Sequence, residues 1–127
     1  MSYIAQSGTD AYTPTQLILG DADIVTDSIT VLSGENLAAN TVVGRVTASG
    51  KIVECDLGAA DGSEVPLGIL VNAVDASAGD KAGNIYIGGE FNRDLLAWHT
   101  SFATDLLKDA AFDGTNIAIK TPTYSVG

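Results

Sequence analysis

His99 is the single histidine of this chain, so any Ser–His–Asp relay would have to run through it. It follows Trp98 at the end of an expected helix, and no marked nucleophile motif accompanies it; a surface or capping role accounts for it. Cys55 is the only cysteine, which excludes an internal disulfide and every multi-cysteine metal site. Its neighbours Glu54 and Asp56 raise a thiol pKa and blunt the sulfur as a nucleophile, so it reads as a small apolar residue. Glu54 and Asp56 also recur at a period of two, as a catalytic carboxylate pair on one strand face would, although simple exposure on a strand explains them. Asp21, Asp23 and Asp27 suggest calcium, but they lack the central glycine and terminal glutamate of an EF-hand loop. Gly83, Gly88 and Gly89 lead into Glu90, whose charge opposes a phosphate. The residues therefore predict no catalytic site, no metal and no cofactor.

One modification site competes with that reading. Asp80, Lys81 and Ala82 resemble the modified-lysine turn of lipoyl carrier domains, which are also small, acidic and β-rich. Such a domain holds its lysine at the tip of a tight hairpin. Lys81 instead lies among Ala76, Ser77, Ala78, Gly79 and Gly83, which read as a long loose loop, so a carrier modified on Lys81 stands as the alternative function.

Composition narrows the class further. The 127 residues fit one domain. Apolar residues make up 46% but aromatics only 6%, with 14 glycines, a mixture that favours short strands and tight turns over a large pocket. The net charge of −10, spread from Asp10 to Asp113, repels phosphate backbones and anionic membranes, so neither nucleic acid nor membrane is an expected partner. The first twenty residues carry no Lys or Arg and no continuous apolar stretch; they do not read as a signal peptide, and synthesis in the cytoplasm is expected.

The elements that would position these groups are mainly strands. Residues 1–23 are polar apart from Leu17, Ile18 and Leu19 and read as an extended or mobile arm. From Ile24 the period becomes two, with Val25, Asp27, Ile29 and Val31 on one face and Asp27 as an intruder. Thr41 to Thr47 and Lys51 to Leu57 read as a hairpin through Ala48, Ser49 and Gly50, with Val53, Cys55 and Leu57 inward. Leu67 to Val74 is a nearly continuous apolar run that predicts a core strand buried on both faces. Asp75 to Gly83 reads as a loop, followed by a strand from Asn84 that Gly88 and Gly89 break. Asn92 fits the cap of a short helix with Leu95 and Trp98 on one face. A second helix starts at Thr104 and stops before Gly114, and a last strand over 116–121 turns Ile117 and Ile119 inward.

The later half holds an ordered set: Asp61 and Gly62; Gly68, Ile69 and Leu70; Ala73 and Asp75; Gly89 and Phe91; Leu96 and Trp98; Ala111, Phe112, Gly114 and Thr115; then Ile117 and Ile119. In this order and spacing it resembles the lambda-type phage head decoration proteins. The opening Ser2 to Thr13 and the stretch from Ile24 to Lys51 look like the longer family members. The resemblance implies a mainly β single domain, a bent β-ribbon (β-clip-like) with two short helices and an extended amino-terminal arm. Residues 1–23 would be the capsid-binding arm and 24–127 the body. It implies a homotrimer on the outer surface of the virion, at threefold and quasi-threefold positions, whose arm orders on the major capsid protein of a tailed phage. The residues expected to make that attachment are Ser2, Tyr3, Ile4, Ala5, Gln6, Tyr12 and Pro14, in the part of the chain least able to fold alone. Phe91 and Trp98 are expected either to pack locally or, as large apolar groups near the helices, to reach a subunit interface, and the sequence does not choose between the two.

Overall fold

The computed structural model describes residues 17–19 and 24–121. Nine strands order them: β1 (Ile18–Leu19), β2 (Val25–Val31), β3 (Asn36–Leu37), β4 (Val42–Arg45), β5 (Ile52–Glu54), β6 (Gly68–Leu70), β7 (Val74–Asp75), β8 (Lys81–Asn92) and β9 (Asn116–Lys120). A 3-10 turn at Arg93–Leu95 and a helix, α1 (Asp105–Ala110), complete the set. The expectation of a mainly β chain holds.

Closure of the sheet follows from the length of β8. Its first half pairs antiparallel with β2 on one edge and with β6 on the other, and the path β2, β5, β4, β6 joins those two neighbours. Five strands thus form a small barrel-like ring, where the sequence suggested a bent ribbon. Closure removes sheet edges that a thin ribbon would leave open. The second half of β8 runs beyond the ring, with β9 parallel to it and β1 antiparallel. A strand has only two edges, so the register puts β1 in line with β2, and β9 in line with β6.

Two cores result. Ile29, Val31, Val43, Ile52, Leu70 and Ile85 fill the ring, and the small β3–β7 sheet adds Leu37 and Val74 to it. The second core lies around the far half of β8 and contains Val42, Cys55, Ile69, Phe91, Leu96, Phe102, Phe112 and Ile117. Side chains alternate across a strand, so Val43 and Leu70 serve the first core while their neighbours Val42 and Ile69 serve the second. The apolar run at 67–74 is indeed buried on both faces, but only over Gly68–Leu70. A side chain at Gly68 has no room: a Cβ there would stand 2.5 Å from the Tyr86 carbonyl oxygen.

Several local expectations change. The β4–β5 hairpin forms and Cys55 is buried as expected, but on β5 the fully buried residue is Ile52, while Val53 is half-buried and Leu57 is exposed. Gly88 and Gly89 bend β8 without ending it, because Gly89 adopts φ +133° and each glycine keeps its place in the ladder with β9. The first helix shrinks to one 3-10 turn. Asn92 caps it by accepting the Asp94 N–H, but Leu96 is already extended, and the Trp98 indole N–H takes the Arg93 carbonyl at 3.0 Å. α1 forms as expected, with the Thr104 hydroxyl accepting the Leu107 N–H.

Candidate functional site

Among the described residues, His99 and Ser101 are occupied in holding loops. His99 Nδ1 accepts the Ser101 N–H at 3.0 Å, the Ser101 hydroxyl stands 3.0 Å from the same nitrogen, and Asp56 Oδ1 lies 3.6 Å from it. A catalytic relay needs acid and nucleophile on opposite ring nitrogens. Here both crowd one, and the Ser101 hydroxyl also accepts the Leu57 N–H at 3.0 Å. The trio joins the turn after β5 to the loop before α1.

Cys55 is fully buried, and its Sγ contacts the Glu64 carbonyl at 3.5 Å. Burial first, then the negative charges of Asp56, Glu64 and Glu54, pushes the thiol up to about 12, so the reactive thiolate is absent at neutral pH. Glu54 ends β5, and Asp56 instead accepts the Gly58 N–H at 2.8 Å, so the two form no carboxylate pair on one strand. Asp27 accepts the N–H of Ser28, whereas Asp21 and Asp23 lie outside the described residues. Among the described residues no group of three or more His, Cys, Asp or Glu is arranged to hold a metal. Lys81 opens β8 opposite Val31, and the strand before it, β7, pairs with β3, so Lys81 is not the tip of a hairpin. That arrangement removes the geometric basis for a lipoyl-type carrier.

Three aspartates act as latches. Asp61 and Asp75 each accept both the N–H and the hydroxyl of the serine two residues on, Ser63 and Ser77. Asp80 accepts the Ser33 N–H at 2.8 Å and the Lys51 ammonium, tying the ends of β2 and β5 to the start of β8. These bonds favour the ionised form and hold all three carboxyls below their ordinary range. A folded-state pKa below the unfolded value adds stability above the unfolded pKa and loses it as pH falls through the folded one. Relief of repulsion at a net charge of −10 acts oppositely on the way down to the pI of about 4.1. The thermal midpoint is therefore expected to stay level from pH 7 to about 5 and to fall below about pH 4. Replacing Asp61, Asp75 and Asp80 together by Asn should flatten that acid limb; an unchanged limb would remove the latches from the explanation.

A further cluster docks α1. Arg93 is largely covered, and its Nη1 donates to both carboxylate oxygens of Asp109 at 2.9 and 3.0 Å, with Asp94 and Asp105 nearby. The Asp109 bond leads the effects that raise its pKa, so the guanidinium stays charged.

What remains is the short strand β1 and the residue before it. Leu17 and Ile18 are half-buried against the second core, Ile18 faces Phe91 across the ladder, and the Asn92 N–H donates to the Leu17 carbonyl at 2.7 Å. The chain upstream of Leu17 therefore starts from a fixed point on the body. Ser2, Tyr3, Ile4, Ala5, Gln6, Tyr12 and Pro14 themselves lie outside the described residues. The structure thus neither gathers them nor separates them.

Comparison with known families turns this arrangement into an identity. The family model for the bacteriophage lambda head decoration protein D matches residues 9–119, which takes in almost all of the described residues. The chain belongs to this family. No curated protein matches it. It is accordingly a phage head decoration protein, a structural component of the virion that associates with the capsid, in a family that is generally non-enzymatic. The residues that carried the resemblance build the decoration protein's body: Gly68–Leu70 forms β6, Phe91, Phe112 and Ile117 fill the second core, and Asp61 and Asp75 are latches. Sequence reasoning missed the pairing of Leu17–Leu19 with β8. The signal was present, since these are the one apolar cluster in an otherwise polar segment.

Proposed function

We propose that this decoration protein cements an expanded phage head from outside, as a homotrimer seated at threefold and quasi-threefold positions. Residues 1–23 serve as the capsid-binding arm and 24–127 as the body. Ser2, Tyr3, Ile4, Ala5, Gln6, Tyr12 and Pro14 make the attachment to the major capsid protein. The observation that carries this reading is the anchoring of Leu17 and Ile18 on the second core, immediately downstream of those residues. A polar arm cannot offset its own ordering entropy, but a strand edge on the capsid protein supplies main-chain hydrogen bonds as the arm orders. Three arms on one trimer bind together, and shells bridged in this way resist the outward pressure of packaged DNA. The charge of −10 keeps the protein off that DNA, so no nucleic acid is a partner, and the protein is made in the host cytoplasm.

The test is co-sedimentation of the full chain with expanded, DNA-free shells of the matching phage, with light scattering of the free protein. Saturable binding in multiples of three per site and a trimeric mass are expected. Absence from the shell pellet would sink the cementing function, and a monomeric mass would sink the trimer.

A further inference from the structure

The intruder in the alternation of β2 has a structural use of its own. Among the described residues, β2 is paired on its outer side only at its end: Val31 faces Ile52 of β5, and the Leu32 N–H donates to the Ile52 carbonyl at 2.9 Å. Strand groups alternate in direction, so the main-chain groups of Thr30, Ser28 and Thr26 point to the same side as those of Leu32, away from β8. Val25 to Ser28 are exposed, and Ile24 and Val25 stand 40% and 45% open beside them. A short edge with apolar residues at its mouth is a template for another strand. At its centre the Asp27 carboxylate turns back along the strand and accepts the Ser28 N–H at 2.9 Å. The outward donor at the middle of the edge is thereby taken, and a negative charge lies across the path of an incoming backbone.

We infer that Asp27 is an edge guard: its carboxylate caps the outward N–H of Ser28 and prevents a second copy of this chain from adding to β2 edge to edge. This explains why an acidic residue occupies the same strand face as Ile29 and Val31, both of which are buried. The inference does not rest on the cementing function, because it concerns only copies of this chain in solution.

Asp27→Val and, as the smaller deletion, Asp27→Ala in the full chain test it. Sedimentation velocity should give both a mass that rises with concentration above that of the unaltered protein, with circular dichroism reporting the native fold. Asp27→Asn keeps an acceptor oxygen and should stay at the unaltered mass. Adding Ser28→Pro to Asp27→Val deletes the outward donor without touching the ladder to β8, and should abolish the extra association. The Ser28 amide should exchange with solvent up to about tenfold faster in Asp27→Ala, the loss of one ordinary hydrogen bond. Unchanged mass and unchanged Ser28 exchange in Asp27→Ala would overturn the guard, as would association that persists with proline at 28.

Discussion

Removal of residues 1–16 is expected to leave the body folded and to cost the protein its hold on the capsid. The cut falls before Leu17 for a physical reason. Leu17 and Ile18 are half-buried in the second core, and the Leu17 carbonyl takes the Asn92 N–H at 2.7 Å. Cutting further in would strip a strand from β8 beside Phe91, and any loss of binding would then be confounded with damage to the core. With Leu17 and Ile18 kept, the truncated protein should show an unchanged thermal midpoint. On the proposed reading all three tethered arms are lost together, so its apparent affinity for expanded shells should fall by at least roughly two to four decades. Equal binding by intact and truncated protein would end the arm mechanism and move attention to the body, where Leu106 and Val65 are the most exposed large apolar side chains.

Phe91→Ala should produce the largest loss of stability of any single substitution in the body. Phe91 is fully buried, lies between Ile18 of β1 and Ile119 of β9 in the ladder, and its ring centroid is 5.0 Å from that of Tyr86. Truncation removes the ring's transfer free energy and leaves a hole in a core that the backbone of three strands cannot collapse to fill. Substitutions of this kind cost about 3–5 kcal/mol. For a chain of this length that corresponds to a drop in thermal midpoint on the order of 10–20 °C. Chemical denaturation of both proteins at the same concentration measures it, since apparent stability depends on concentration wherever subunits associate. A loss under about 1 kcal/mol would mean that the second core is looser than its burial implies. Because Phe91 faces Ile18, the same substitution should also loosen β1, seen as faster amide exchange at Ile18.

The two predictions meet at β8, and that strand separates what was legible in the sequence from what was not. Its first part shows in the alternation of Ile85 and Ile87 about Tyr86, a local pattern of the kind strands impose. Its continuation through Gly88 and Gly89 was hidden, since two glycines in a row ordinarily stop a strand. Only the pairing of both glycines with β9, and the tight fit of Ile24 against Gly89, reveals that they bend it. The 3-10 turn misled for a related reason. Asn92 and Asp94 carry a valid cap signal, but the Ala97 N–H, which a continuing helix would have given to the Arg93 carbonyl, donates to the Asn40 carbonyl at 2.9 Å instead. A cap records how a helix starts, and the tertiary partner decides how far it runs.

The sequence by itself determined the class and the family of this protein. Periodicity, glycine spacing and the order of apolar residues are local properties written directly in the chain, and the same order matches the decoration-protein family over residues 9–119. Charge and the scarcity of chemical groups likewise pointed away from catalysis before any fold was known. The tertiary structure alone decided how the strands close and which polar groups serve as latches. It also decided that Leu17 and Ile18 are held against the second core. Those are questions of contact between residues far apart in the chain: Lys51 with Asp80, Leu17 with Asn92, His99 with Asp56. Composition and period carry no record of such pairs, because register and distance across a sheet are settled only when every strand has found its partner.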